Sequence, residues 1–324
     1  MKKQNPWISL FRVILCIVVI QIHFPLNETS LLGRWSALAS PYAVPCFMFL
    51  SFYFMTDDVM GLNRDRIKER LLRLYIPILF WNTVYFLVLN LFGAGISVKK
   101  LIMSFMLAHG EGLCVPLWFL MAQLLDLIFI VIVFQYLPDE KARIFASVFI
   151  LILTFVLLKA GIITELFETA SYELKYPLQR TVQCVPYAVL GLLSSCCLKD
   201  KKVRIKVITV VAFVLVGFIS FKLSLGEVAT SMVVAALCEI VLMVPDDVIK
   251  GRLRILLNYL GACTMGIYCV HLLLGMRLNG AFSGRLHSGN MTFILSIFLL
   301  GLLISIIIRL INRKLNWKFL TYIA

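Results

Sequence analysis

The sequence predicts an all-α, polytopic integral membrane protein with about ten transmembrane helices and both termini in the cytoplasm. Apolar side chains account for 61% of its 324 residues and charged ones for only 15%, and the mean hydropathy is +0.95. Soluble domains are typically about 45–50% apolar, whereas ten spans of about 20 residues each use about 200 positions. The composition therefore excludes a soluble enzyme and a disordered regulator, and it predicts a single integral-membrane domain over residues 1–324.

The helices are predicted from apolar runs of about 18 residues or more. The first run follows Met1-Lys2-Lys3, as a secretory signal does, but Arg12 and His23 interrupt it and no small-residue cleavage site follows. We therefore expect it to be retained as the first span. Short loops separate the other runs. The ten predicted spans lie near residues 7–26, 36–56, 71–93, 115–136, 143–160, 178–197, 203–222, 227–245, 255–277 and 291–313.

The distribution of basic residues sets the predicted orientation. With a cytoplasmic N-terminus, 21 of the 31 Lys and Arg residues fall in inner segments and eight in outer ones, which is a strong positive-inside asymmetry. An even number of spans then returns the C-terminus to the cytoplasm. Topology thus accounts for most of the net charge of +14. The charge does not indicate a nucleic-acid partner, and we expect membrane lipids to be partners of the protein.

The nine cysteines lie mostly inside apolar runs and form no Cys-x-x-Cys motif. Neither a disulfide framework nor a metal site is indicated, and we expect no metal cofactor. We interpret the cysteines as small apolar side chains.

Ionisable residues inside spans are costly and usually face a protein interior or a water-filled cavity, so each is a functional candidate. Arg12 and His23 are 11 residues apart in the first span, which on one helix corresponds to an offset of about 20° and a rise of about 16 Å. The predicted topology places Arg12 toward the cytoplasm and His23 in the outer third of the membrane. The alternative is structural: an arginine that snorkels to the interface and a histidine that caps a neighbouring backbone.

Three further residues are predicted near the depth of His23. Trp118 opens the fourth span, and Tyr268 and His271 lie three residues apart on one face of the ninth. Two histidines at one depth on different spans predict a single polar pocket. The alternatives are an interfacial position for Trp118 and an interhelical hydrogen bond for His271.

Four other charged residues have both a functional and a structural interpretation. Asp126 and Glu239 lie nearer the middle of the membrane, where each either orients a histidine or pins helices together. Arg70 and Arg73 lie side by side where the third span begins. Two guanidiniums at a cavity mouth suit the phosphates of a nucleotide-bearing donor. Topogenic charge or contact with anionic lipid headgroups explains the same pair.

Five motifs, taken in order, resemble those of the integral-membrane acyltransferases of the acyltransferase-3 type. Arg12 and His23 resemble the opening Arg/Lys-x10-His signature, and Arg70-Leu71-Leu72-Arg73 resembles the inner R-x-x-R. The others are V-P-C-F-M-F-L-S-F-Y-F-M (44–55), P-L-W-F-L (116–120) and G-I-Y-C-V-H (266–271). One position departs from the family pattern, because Phe52 stands where a glycine usually follows Ser51.

The resemblance implies a membrane-bound O-acyltransferase. It would move an acyl group, most often acetyl, from cytoplasmic acyl-CoA (acetyl-CoA) to a hydroxyl of an extracytoplasmic or lipid-linked glycan. It implies a multi-pass protein of the bacterial plasma membrane that O-acetylates polysaccharide of the cell envelope. His23 would be the general base or, in a variant, the nucleophile of an acyl-histidine. The donor contacts would be Arg12, Arg70 and Arg73, and the acceptor-binding or orienting residues would be Ser51, Trp118, Asp126, Glu239, Tyr268 and His271.

A transporter or flippase of a small solute or glycan precursor is the alternative function. Ten spans with buried Arg, His, Asp and Glu side chains also suit a proton relay or a substrate path. No internal repeat is evident in the sequence, which disfavours an inverted-repeat transporter. The sequence leaves open the identity of the acceptor and the oligomeric state, including a homodimer.

Overall fold

A computed structural model of the chain describes residues 5–27, 29–108, 113–168, 172–281 and 290–323. Lys2, Lys3 and Arg285, which enter the count of basic residues, lie outside these ranges. Within them the chain is helical and contains no strand. The prediction of an all-α protein is confirmed.

Ten of the described helices are long and apolar enough to cross a membrane, as predicted. They are α1 (Pro6–His23), α2 (Leu31–Met60), α3 (Arg64–Leu91), α5 (Trp118–Phe134), α6 (Glu140–Lys159), α8 (Tyr172–Leu198), α9 (Val203–Lys222), α10 (Gly226–Met243), α11 (Gly251–Ala281) and α12 (Met291–Leu315). Three short helices are α4 (Val98–Leu107), α7 (Ile162–Leu166) and α13 (Leu320–Ile323), and a 3-10 turn, Val115–Leu117, leads into α5. The short helices were not predicted, because they contain too few residues to form an apolar run of spanning length.

Short polar side chains fix where several spans begin. Asn5, Ser30, Asn63 and Asp139 are the N-cap residues of α1, α2, α3 and α6, and each side-chain oxygen accepts a hydrogen bond from a backbone N–H of the first turn. Pro6 follows Asn5 at the first helical position, where its missing N–H leaves no helical hydrogen bond unmade. Because the cap lies outside the apolar run, α2 begins about five residues earlier than predicted.

The centre of the bundle forms where α8 meets α2 and where α11 meets α1. A Cβ added at Gly191 of α8 would lie 2.3 Å from the backbone oxygen of Phe49, and one added at Gly261 of α11 would lie 2.6 Å from the Cβ of Ser9. Glycine allows helix backbones to approach this closely. The Ser9 hydroxyl also donates a 2.9 Å hydrogen bond to the side-chain oxygen of Asn258, which fixes α1 against α11.

Two of the spanning helices lie at the periphery of the bundle. In α6 and α9, only 17% of the residues in the most apolar window are buried, compared with 72% in α8. The exposed residues of α6 and α9 are largely aliphatic and aromatic, as expected of surfaces that face lipid. The predicted site residues all lie on other helices, α1, α2, α3, α5, α10 and α11.

A side chain from α3 opens one turn of α11. The Tyr85 hydroxyl donates to the Cys269 carbonyl at 3.1 Å and accepts from the Leu273 N–H at 3.0 Å. An unbroken α-helix pairs these two backbone groups with each other. Insertion of a side chain into the ladder is an established cause of local bending. The opened turn contains His271, one of the candidate site residues.

Candidate active site

The first cavity lies among α1, α2, α3, α5, α11 and α12 and has a volume of about 310 Å³. Three arginines line it, Arg12, Arg73 and Arg309, together with Thr321 and Tyr322 of α13. No Asp or Glu is present among the described residues of its wall. Because three guanidiniums share one space without an acidic side chain in the lining, the first cavity suits an anionic ligand.

Arg12 and Arg309 are oriented by neighbouring helices. The Arg12 guanidinium carbon lies 5.8 Å from the ring centroid of Phe54 in α2, an arrangement in which the ring face attracts the cation. The Nη2 of Arg309 donates a 2.5 Å hydrogen bond to the backbone oxygen of Ala262 in α11. Arg309 lies within a predicted span, so the rule that singles out Arg12 would also have found it. It was missed because its charge entered only the topological count.

Arg70 and Arg73 are close along α3, but of the two only Arg73 lines the first cavity. Arg70 turns toward α2, where it donates to the Asp58 carboxylate at 3.2 Å from Nη2 and 3.3 Å from Nε. Arg73 donates to Glu69 at 2.9 Å, and its guanidinium carbon lies 6.0 Å from the ring centroid of Tyr322. The structure thus separates two arginines that the sequence pairs.

The second cavity lies among α1, α2, α5, α8, α10 and α11 and has a volume of about 440 Å³. His23, Trp118 and Tyr268 line it, so three of the residues predicted at one depth share one space. Arg180 and Glu227 add two charged side chains, and the Arg180 guanidinium carbon lies 5.7 Å from the Trp118 ring centroid. Aromatic rings combined with a few hydrogen-bonding groups are typical of a pocket for a polar organic ligand.

The two candidate histidines are neighbours, with ring centroids 5.2 Å apart. His271 is fully buried, and its Nδ1 lies 2.6 Å from the backbone oxygen of Tyr268. Because a carbonyl oxygen only accepts, Nδ1 carries a proton, and the Nε2 of the neutral ring is unprotonated. That Nε2 is buried without a hydrogen-bond partner in the described ranges. His23 lines the second cavity, whereas His271 does not line it and packs against the His23 ring.

Tyr268 joins the two cavities, because it lines both. Its hydroxyl donates to the backbone oxygen of Pro116, in the 3-10 turn before α5. Its ring packs edge-to-face against Phe119, with centroids 5.7 Å apart, and Phe119 lines the first cavity. The rings of Tyr268 and Phe119 are hereafter called the aromatic partition, because Tyr268 belongs to the walls of both the cavity with the three arginines and the cavity with His23.

The remaining predicted site residues lie apart from the histidines. Ser51 lines the first cavity. Asp126 is buried and lines a separate, mainly apolar cavity of about 390 Å³ between α5, α6 and α8. Glu239 of α10 is buried and accepts a hydrogen bond from the Ser194 hydroxyl of α8. Neither carboxyl group lines the first or the second cavity, and the Glu239 contact joins two helices.

Comparison with known protein families covers nearly the whole chain. Residues 5–310 match the acyltransferase-3 family, which is described as "Acyltransferase domain". The chain belongs to the acyltransferase-3 family. The resemblance inferred from the motifs is thereby confirmed. No curated protein and no solved structure matches this acyltransferase significantly.

The matched range of the acyltransferase contains nearly all of both cavities. The three arginines, the two histidines and the aromatic partition all lie between residues 5 and 310. Thr321 and Tyr322 are the two residues of the first cavity that lie beyond it. The C-terminal wall of that cavity is therefore a part of the site that the match to the family does not cover.

Proposed function

We propose that this acyltransferase moves an acetyl group from acetyl-CoA to a hydroxyl of a glycan at the bacterial plasma membrane. The observation that carries the proposal is the position of Tyr268 in the walls of both cavities. A donor held by the arginines on one side and an acceptor held beside His23 on the other side meet at the aromatic partition. Holding two reactants in this way replaces an encounter in solution by a reaction between bound groups.

The donor occupies the first cavity. Guanidiniums match phosphate oxygens in geometry and charge, and Arg12, Arg73 and Arg309 line this cavity as the contacts for the phosphates of CoA. Arg70 acts from beside the cavity, where it adds to the positive potential. The acyl end of the donor extends from the phosphates to Tyr268.

His23 acts as the general base on the acceptor hydroxyl. Its imidazole takes the hydroxyl proton as the oxygen attacks the thioester carbonyl; the C–O bond forms, the C–S bond breaks, and the proton passes to the CoA sulfur. A base of this kind contributes typically about 10²–10⁴-fold to the rate. His271 restrains the His23 ring from behind. An acyl group carried by His23 itself is a variant of the same route.

The acceptor, an extracytoplasmic or lipid-linked glycan, occupies the second cavity. Trp118 offers a ring face, and Arg180 and Glu227 offer hydrogen bonds to hydroxyl groups. In this proposal the first cavity faces the cytoplasm, because the positive-inside distribution of Lys and Arg places the start of α3 there. Glu239 contributes by joining α10 to α8, two of the helices that line the second cavity.

The test combines donor binding with product analysis. In lipid nanodiscs, we expect acetyl-CoA but not free acetate to raise the unfolding temperature. His23→Ala should keep that stabilisation, while mass spectrometry of polysaccharide from cells that express this variant should show no acetylation. Arg204→Ala, at an exposed position of α9, is the control and should behave like the unaltered protein. Full acetylation with His23→Ala contradicts the base assignment, and no stabilisation by acetyl-CoA contradicts the donor assignment.

Transport is a second candidate function, because two cavities that share Tyr268 also resemble a path through the helices. The two functions differ in their need for an acyl donor. Uptake of a glycan precursor into liposomes that contain the protein but no acyl-CoA supports transport. Glycan acetylation that requires acyl-CoA, without such uptake, supports the acyltransferase.

A further inference from the structure

Gln123 is a polar residue in the wall of the first cavity, and it has no part in the reaction proposed above. It lies on α5, its exposed fraction is 2%, and it lines that cavity. Its Nε2 has no hydrogen-bond partner in the part of the chain that the structure describes. Buried polar groups are nearly always paired, and an unpaired one needs an explanation. A carboxamide at this position indicates a partner that arrives with the ligand.

The position of Gln123 restricts what that ligand group is. Phe119 lies one helical turn earlier on the same face of α5 and forms the aromatic partition with Tyr268. Gln123 therefore lies about 6 Å along the helix axis from the partition. Gln123 also lines the cavity that contains the arginines, so a ligand group bound to Gln123 lies in the same cavity as the proposed phosphate contacts and near the aromatic partition.

The other polar side chains near this position do not offer the same chemistry. The Thr264 hydroxyl donates a 2.9 Å hydrogen bond to the backbone oxygen of Gly261. Ser51 offers a single hydroxyl. Gln123 alone among the described residues of this wall carries a carboxamide, which presents two N–H donors and a carbonyl acceptor.

We propose, on the basis of the proposed function, that Gln123 binds one amide of the donor's pantetheine arm, the amide nearest the thioester. In an acyl-CoA, two methylene groups separate this amide nitrogen from the thioester sulfur. A thioester at the aromatic partition thus places the amide about one helical turn away, at Gln123. The secondary amide has one donor and one acceptor, both of which a carboxamide satisfies. Gln123 sets the depth to which the thioester enters and selects donors that carry this amide.

The test measures the binding of three probes to the full chain in lipid nanodiscs. The probes are CoA, pantetheine (the arm without the nucleotide) and adenosine 3′,5′-bisphosphate (the nucleotide end without the arm). Gln123→Met keeps the length of the side chain and removes its hydrogen-bonding groups. We expect the Kd for CoA and for pantetheine to rise about 5- to 150-fold. The Kd for the bisphosphate should change by less than about twofold.

Gln135→Met is the matched control, because it makes the same change at the exposed C-cap residue that follows α5. It should leave all three Kd values unaltered. Ligand-free Gln123→Met should unfold at a temperature no lower than the unaltered protein, since the change removes an unpaired buried group.

Three outcomes overturn the inference: pantetheine binding that Gln123→Met leaves unchanged, an equal loss for all three probes, or a lower unfolding temperature, which indicates a structural role. If the unaltered protein binds none of the probes, the donor assignment of the proposed function fails as well. If it binds CoA and only the Gln123 effect is missing, the inference alone fails.

Discussion

Arg309 and Arg70 are predicted to differ in their effect on donor binding, although both belong to the same end of the bundle. Arg309→Gln removes a guanidinium from the wall of the first cavity. A hydrogen bond to a charged group contributes about 1.5–3 kcal/mol, so the Kd for CoA should rise about 10- to 150-fold. Arg70→Gln removes a charge that is paired with Asp58 at 3.2 Å outside the lining, and the Kd should change by less than about threefold.

Equilibrium binding of CoA in nanodiscs measures both effects. The Arg309 variant should also show a weaker dependence on salt, because one charged contact with the ligand is lost. Arg204→Gln, at an exposed position on α9, controls for the change in net charge. Unfolding temperatures are compared in parallel, because Arg309 also bonds the backbone of α11. An equal loss of affinity in the Arg70 and Arg309 variants, or none in the Arg309 variant, refutes the placement of the phosphates.

Three further predictions concern packing. Gly191→Ala places a methyl group 2.3 Å from the α2 backbone, whereas the methyl group of Gly226→Ala meets nothing within 4 Å. The Gly191 variant should lose at least about 1 kcal/mol of stability. Equal unfolding temperatures for the two variants contradict the close approach of α8 to α2. Tyr85→Phe removes the hydroxyl from the opened turn of α11 that contains His271, so kcat should fall while the KM for the donor is unchanged. A change in KM alone contradicts a role of Tyr85 in positioning His271. Ser194→Ala leaves the Glu239 carboxyl buried without its donor, and thermal unfolding should show a loss of about 1–3 kcal/mol, which an unchanged unfolding temperature contradicts.

Hydropathy predicts the ten spans, because in lipid a backbone must satisfy its polar groups within each helix, and each such helix needs about 20 apolar residues. The starts of helices follow a different rule. α3 begins at Arg64, seven residues before the predicted position 71, because Asn63 caps a polar first turn. Hydropathy has no signal for such a turn, since its residues are charged.

The site is predictable only in part, because spacing gives the face of a helix and not the direction of a long side chain. Depth along two spans was enough to pair His23 with His271, which lie 5.2 Å apart. Arg70 and Arg73 share a face of α3, but Arg70 meets Asp58 on another helix. No spacing within the sequence identifies that partner.

Phe52 replaces the glycine that usually follows Ser51 in the family motif, yet α2 keeps a close backbone contact there. Gly191 of α8 lies against the α2 turn between Phe49 and Tyr53, where an added Cβ would be 2.3 Å from the Phe49 oxygen and 3.1 Å from the Tyr53 nitrogen. Two helices approach closely when one of them has no side chain at the crossing. Because Gly191 meets that requirement from α8, Phe52 fills the core as a fully buried side chain, and Ser51 keeps its place in the wall of the first cavity.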